Sequence, residues 1–444
     1  MEQAQGSNPL FEKASVRTIL LKIAPPVMVA QVIQALYNIV DSCFVGAYSG
    51  DGLTALSVIF PIQFIITSLA VGTGVGVNIV MARYYAQGHD RAADAVAGTG
   101  TLLAAVTWAV FALLVWLFLP NYVYASASAP KAVEYSITYG NIVCIGSLGI
   151  YLESIWTKVH QAGGDMRIPM AAQVAGALTN IALDPLLIFG MGPFPEMGIT
   201  GAAVATVIGQ CVAAVIVGKS GFRMPPRLSA VPQYAGRIYL MAYPSILMQL
   251  LCTLYIVVLN IILAGFSDAA VTVLGLYYKM QAFFFIPVFG LNTCIMPVLS
   301  YNYARRNYAR CKIILTRSLA MATAFMLVGV ACFDGIPGVL IRLFSQDEEV
   351  LSIGIYAFRV IGLSFCSAVF SLMMPIFFQS IGATLPSVLL ALTRPVFCLM
   401  PIFWLLSLIG LQWTWWAFPL SETITGAVGV LLYIRQIRRW DAET

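Results

Sequence analysis

The sequence predicts an all-α polytopic membrane protein, with twelve transmembrane helices arranged as two pseudo-symmetric six-helix lobes. Three observations predict it. Apolar residues make up 60% of the 444-residue chain and charged residues 10%, with a mean hydropathy of +0.87; soluble domains carry about 25% charge. The apolar residues fall in long runs, each near the roughly 20 residues that take a helix across about 30 Å of hydrocarbon. The chain is also written twice. Shifted by 218 residues, Pro26 falls on Pro244, Leu36-Tyr37 on Leu254-Tyr255, Ser49 on Ser267, Thr54 on Thr272, Gly72 on Gly290, Tyr85-Ala86 on Tyr303-Ala304, Gln161 on Gln379 and Gly164 on Gly382. One constant offset across so much of each copy means two homologous halves, which in a membrane chain points to two lobes around a shared pathway.

The runs lie at 18–46, 53–80, 95–119, 133–159, 167–189, 198–218, 236–263, 272–297, 313–335, 350–378, 386–410 and 414–434. The repeat divides them six and six: an N-terminal lobe over 1–220, a linker over 221–235 and a C-terminal lobe over 236–444. The linker is basic and carries Pro225-Pro226 and Pro232, so it reads as a connection and not as a soluble domain. The first run is too long for the apolar core of a signal peptide and is expected to be retained.

Lys and Arg set the orientation. With both termini cytoplasmic, 19 of the 24 basic residues fall on the cytoplasmic side: Lys13, Arg17, Lys22, Arg83, Arg91, Lys158, Arg167, Lys219, Arg223, Arg227, Arg237, Arg305, Arg306, Arg310, Lys312, Arg317, Arg435, Arg438 and Arg439. Only Lys131 and Arg342 fall outside. An even number of spans per half puts both halves in the same orientation. The expected setting is thus the cytoplasmic (inner) membrane, and the net charge of +5 reflects a face against anionic lipid, with no nucleic-acid partner. The nine cysteines form no CxxC pair and read as thiols within helices.

An ionisable residue in hydrocarbon costs about 2.5–3.5 kcal/mol, so each one needs a reason. Asp41 and Asp184 each lie roughly five residues from the outer ends of spans one and five, about 8 Å deep at 1.5 Å per residue. Asn180 is one turn before Asp184, and Thr206 in span six adds a hydroxyl. Together they make an all-oxygen set that suits Na⁺. A desolvated carboxylate pair also resists double ionisation, so the same set could hold a proton. The competing reading is a pair of capped polar residues near the interface, since Asp184 precedes Pro185 and Asp41 is close to a helix end.

At the 218-residue offset Asp41, Asn180 and Asp184 become Leu259, Cys398 and Ile402. The second half instead embeds Lys279, Arg359 and Glu422 at comparable depth, with Arg394 deeper toward the cytoplasm. Glu422 either pairs internally with Lys279 or Arg359, or joins a substrate cleft with these cations and Gln34. Glu153, followed by Trp156, Lys158 and His160, is expected at the interface, and His89 and His160 in solvated loops. Gly72 and Gly76 lie within a span and suit close helix approach, not phosphate binding. Pro26, Pro61, Pro244, Pro287, Pro297 and Pro375 are expected to kink spans. Trp413, Trp415 and Trp416 are expected to anchor the last span at the interface. No nucleophile–base or metal constellation points to an enzyme.

These motifs resemble the bacterial multidrug and toxic compound extrusion (MATE) family along the whole chain. They are Asn38-Ile-Val-Asp41 with Val45-Gly46, Gly72 through Tyr85-Ala86-Gln87-Gly88, Gln161-Ala-Gly-Gly-Asp165 with Pro169, Asn180, Asp184-Pro185, and Gly198-Ile-Thr-Gly201 through Thr206. In the second half they are Pro297 with Tyr301-Asn-Tyr303-Ala304, Gln379-Ser-Ile-Gly382, and Pro419-Leu-Ser-Glu422. The resemblance implies two bundles in a V shape that rock to export amphiphilic, often cationic compounds in exchange for H⁺ or Na⁺. It maps Asp41, Asn180 and Asp184 onto cation-site positions, with Thr206 as a fourth. Span seven has Gln249 and Asn260 but no carboxylate, unlike members that bind a cation in the C-terminal lobe. The expected partners are a small amphiphilic substrate and membrane lipid, with the chain acting as a monomer. No cofactor is expected beyond the coupling ion. A flippase for a lipid-linked or anionic amphiphilic precursor is the alternative, with Lys279, Arg359 and Arg394 reading an anionic head group.

Overall fold

Ser and Thr hydroxyls start the second long helix of each half. The Ser49 side chain accepts from the Gly52 N–H at 3.4 Å, and Ser267 accepts from the Ala270 N–H at 3.2 Å. Both serines satisfy an amide that the helix leaves without a partner. One turn inside, Thr54 and Thr272 each donate to the carbonyl four residues back. The repeated residues of the sequence thus perform the same local task twice.

The computed structural model describes residues 9–12, 15–126, 129–191, 194–344 and 347–443; Lys13 lies outside them. Among the described residues no strand occurs, and ten helices are long and apolar enough to cross a membrane. The count rises to twelve if each of two bent helix pairs is one span: Asp268–Phe284 with Ile286–Ala304, bent by 49°, and Glu348–Gly362 with Phe365–Ser380, bent by 55°. Each of the twelve expected spans has its counterpart. Most helices outrun the apolar runs, as in Gly50–Ala86 and Asp90–Ser126, because polar turns continue past the apolar segment. Pro287 opens the second member of the first bent pair, where its missing N–H cannot continue the preceding helix.

The chain divides into two compact units: residues 1–12 with 25–246, and residues 13–24 with 247–444. Both divisions inside helices fall beside repeated prolines. Pro25 and Pro26 lie within Val16–Tyr48, and Pro244 lies within Val231–Ala264.

In the first unit, small residues set the helix spacing. A Cβ on Gly176 would lie 2.7 Å from the Gly209 carbonyl oxygen, and one on Gly209 would lie 2.7 Å from that of Gly176. Arg167–Ile188 and Ile199–Gly221 therefore touch backbone to backbone. Gly76 likewise meets the Ile238 carbonyl, where a Cβ would sit at 2.3 Å. Asn78 Nδ2 ties Gly50–Ala86 to the Lys158 carbonyl at 3.0 Å. In the second unit the equivalent helices are tied by Asn292 to the Leu372 carbonyl (3.5 Å) and Ser300 to the Ser380 carbonyl (3.0 Å), all at the same sequence separation of 80.

The second unit's core is aromatic. Phe333 stacks on Phe358 with centroids 4.8 Å apart and meets Phe284, Phe365 and Tyr277 at larger angles. The tryptophan run does not act as one anchor. Trp413 is exposed, but Trp415 is buried edge-on against Phe403, and Trp416 Nε1 donates to the Tyr356 hydroxyl. The polypeptide turns at Gly410 into the short Leu411–Thr414 helix, which aims alternate rings in different directions. His160 also departs from expectation: it lies within Leu148–Ala162, its Nε2 3.1 Å from the Val217 carbonyl oxygen.

Candidate functional site

Asn180 and Asp184 stand one turn apart on Arg167–Ile188, so both side chains face the same way. The helix runs on through Pro185 to Ile188, and Asp184 is fully buried within it. A capping role for Asp184 is therefore excluded. The close backbone contact at Gly176 and Gly209 brings Thr206 of the facing helix to the same level. The Asn180 amide is oriented with its nitrogen donating to Asp184 Oδ2 at 3.1 Å and its oxygen accepting from the Thr206 N–H at 3.1 Å. Turned the other way, its oxygen would face only acceptors. The Thr206 hydroxyl donates to the Ala202 carbonyl at 3.0 Å, which leaves its lone pairs toward the cluster.

Asp41 comes from Val16–Tyr48, is 8% exposed, and its carboxyl lies against that of Asp184. Its Oδ1 is buried with no hydrogen-bond partner among the described residues. The four residues Asp41, Asn180, Asp184 and Thr206, chosen from three spans of the sequence, thus form one cluster. Two carboxyls in contact and away from water resist double ionisation, and a shared proton or a bound monovalent cation would halve their joint charge.

Two hydroxyls escaped the sequence reading. The Tyr37 and Tyr139 side chains both reach Thr206, and Tyr139 also reaches Gln63. Tyr37 is one turn before Asp41, a spacing that could have revealed it; Tyr139, in Pro130–Ile145, gave no comparable signal.

The cluster opens on a cavity of about 750 Å³ within the first unit. Asp41, Asn180, Thr206, Tyr37 and Tyr139 line one part of it, and Gln34 also lines it. Phe60 and Phe64, with ring centroids 6.1 Å apart, supply aromatic surface, and Gln31, Gln63, Gln173 and Gln210 supply amides. Glu153 lines it too, so this residue is not the interfacial carboxylate expected. Glu153 lies on Leu148–Ala162, the helix that follows the short interruption at Gly146-Ser147. The described lining holds two carboxylates and no Lys, Arg or His.

The second unit's charges are arranged differently from the expectation. Glu422 accepts from Arg394 Nε at 2.7 Å, not from Lys279 or Arg359, and it also accepts a hydrogen bond from Ser371. Arg394 is not displaced in depth from Glu422, because its span holds a π-helical stretch, Thr393–Leu399, and wide turns break the regular rise on which a depth estimate rests. The last span also begins at Leu411, ahead of the expected start, which sets Glu422 further in. The Arg394 guanidinium lies 5.9 Å from the Tyr255 ring centroid. Lys279 is exposed, its Nζ 5.9 Å from the Phe344 ring centroid, and Arg359 Nε donates to the Asp334 carbonyl at 3.3 Å.

The family model MatE matches the chain twice, over residues 26–186 and 244–430. The two matches begin 218 residues apart, the offset of the internal repeat. Among curated relatives, an FAD transporter of Shewanella oneidensis is 27% identical over 76% of this chain and 76% of its own. A probable multidrug resistance protein NorM of Thermotoga maritima is 25% identical, covering 80% and 78%. A multidrug export protein MepA of Staphylococcus saprophyticus is 22% identical, covering 95% and 94%. Among solved structures, an outward-facing multidrug resistance MATE family transporter superposes with a TM-score of 0.91 over all of both chains at 22% identity. A MOP superfamily transporter from Pyrococcus furiosus gives 0.90, at 22% identity, covering 99% and 100%. With both halves matched and the fold shared end to end, the chain belongs to the MatE family of multidrug and toxic compound extrusion transporters, which are not enzymes.

Proposed function

We propose that the protein is a secondary active antiporter that exports amphiphilic, cationic drugs or toxic metabolites in exchange for H⁺ or Na⁺, by alternating access as its two lobes rock. The observation that carries this reading is the Asp41–Asp184 contact at the wall of a cavity with aromatic and amide surface and no basic side chain among its described lining residues. A proton or Na⁺ at the pair halves its negative charge. When the ion leaves, the exposed negative charge favours a cationic ligand in the same lobe. Antiport follows if ion and ligand favour opposite conformations of this lobe. The protein would act as a monomer in the inner membrane, with both termini cytoplasmic.

The names of two relatives, a multidrug resistance protein and a multidrug export protein, support a drug-type cargo. FAD, named for a third relative, is an anion, and so is the cargo of a precursor flippase. Either would meet two carboxylates in this cavity, and Arg394 is already committed to Glu422. The cationic reading is therefore preferred. Purified protein in liposomes, given a pH gradient and a Na⁺ gradient separately, tests it. One gradient should drive uptake of a cationic amphiphile into inside-out vesicles. Transport indifferent to both gradients, or of anionic amphiphiles alone, would overturn the reading.

A further inference from the structure

The second carboxylate of the first-unit cavity stands apart from the coupling cluster. Glu153 Oε1 accepts from the Thr157 hydroxyl at 2.8 Å, and the Gln173 amide donates to the same carboxylate. Gln173 precedes Asn180 by seven residues on one helix, so Glu153 lies about 10 Å along that axis from the Asp41 cluster. Both partners orient the carboxylate without neutralising it. Lys158, whose charge is felt at Glu153, makes its hydrogen bond elsewhere, with Nζ donating to Gln161 Oε1 at 2.8 Å. A carboxyl held in a membrane-embedded cavity at such cost calls for a use.

The same cavity holds an orphaned acceptor. Gln210 Oε1 is buried and takes no hydrogen bond among the described residues. Its place is fixed by Gly149, one turn before Glu153 on the same helix face: a Cβ there would meet Gln210 Cβ at 3.2 Å and the Cys211 nitrogen at 3.0 Å. Glycine at 149 thus admits the facing helix at Gln210, one turn along from Glu153, and both side chains line the same cavity. A carboxylate and an amide oxygen are both acceptors, so together they call for a ligand with several N–H donors and a positive charge. A protonated primary or secondary amine has these. A quaternary ammonium has the charge but no N–H, and would leave Gln210 Oε1 unsatisfied.

We infer that Glu153 and Gln210 form the subsite for the N–H-bearing ammonium head of the exported cation, distinct from the Asp41–Asp184 coupling pair, with the aromatic body of the ligand toward Phe60 and Phe64. The inference rests on the antiport reading for its direction of transport, but its binding step stands alone. Because head and coupling ion use different carboxylates, their antagonism is conformational and not a contest for one group.

The test is equilibrium binding, by intrinsic fluorescence quenching in detergent, of a protonated N-alkyl-naphthylmethylamine and its N,N-dimethyl quaternary analogue. The wild type should bind the protonated probe about tenfold more tightly than the quaternary one. Gln210→Leu should abolish that preference while still binding both, and Glu153→Gln should weaken both probes. Glu153→Asp, which keeps the charge, should restore part of the affinity and serves if Glu153→Gln fails to fold, as read from its melting temperature. Equal wild-type affinities, or a preference that survives Gln210→Leu, would overturn the subsite. Gradient-insensitive transport with these binding results intact would instead sink the antiport reading and leave the subsite standing.

Discussion

The two units of this chain bury their charges in opposite ways. The first holds two carboxyls against each other, with an amide and hydroxyls around them and no basic residue on the cavity they border. The second holds one carboxylate against one guanidinium at 2.7 Å, with a serine hydroxyl completing the shell. A matched pair is neutral and needs nothing else. A like-charged pair is not self-compensating, and in the proposed reading that is what lets an ion bind and leave. The difference teaches that duplication supplied the scaffold twice while the like-charged carboxyl pair was placed once.

The largest expected effect comes from breaking the incomplete site. Asp41→Asn leaves one carboxyl and nothing for an ion to neutralise between two, so gradient-driven transport should fall to that of protein-free liposomes while the protein remains folded. Breaking the complete site should do the reverse. Glu422→Leu strands a buried guanidinium at a cost of about 3–5 kcal/mol, read as a lowered unfolding midpoint in detergent. The double variant Arg394→Met with Glu422→Leu should regain most of that stability and retain gradient dependence. Loss of coupling in the stable double variant would erase the contrast between the units.

Smaller effects sharpen the geometry. Gly176→Val places methyls where the Gly209 carbonyl now lies and should cost about 1–3 kcal/mol by overpacking. It should also reduce transport, since it parts Asn180 from Thr206. Thr206→Val removes a hydroxyl but not the helix contact. It should weaken the coupling ion by about 1 kcal/mol, seen as a modest rise in the ion concentration for half-maximal transport.

Much of this was legible in the sequence, for physical reasons. Hydrocarbon demands long apolar helices, so the spans could be counted, and the offset of 218 residues showed that they fall into two sets. Asp41, Asn180, Asp184 and Thr206 stood out because polar groups are costly at that depth. What stayed hidden depends on departures from a regular helix. The partner of Glu422 was misjudged because depth was taken from an even rise, whereas Thr393–Leu399 is π-helical and the last span starts at Leu411. Glu153 looked interfacial because Trp156, Lys158 and His160 follow it near the end of an apolar run, and a linear sequence does not show that its side chain lines a cavity. Tyr139 reaches the cluster only through tertiary packing, which no local spacing encodes.

The central claim is that the coupling ion sits at the Asp41–Asp184 pair and is expelled when a cationic ligand is favoured. Adding a cationic amphiphile to purified protein in weakly buffered detergent tests it most directly, with proton release followed by a pH indicator and Na⁺ release by a radioactive tracer. Ligand should displace one of the two ions from the wild type and from the Arg394→Met/Glu422→Leu variant, but neither from Asp41→Asn. Undiminished ion release from a folded Asp41→Asn protein would contradict the account.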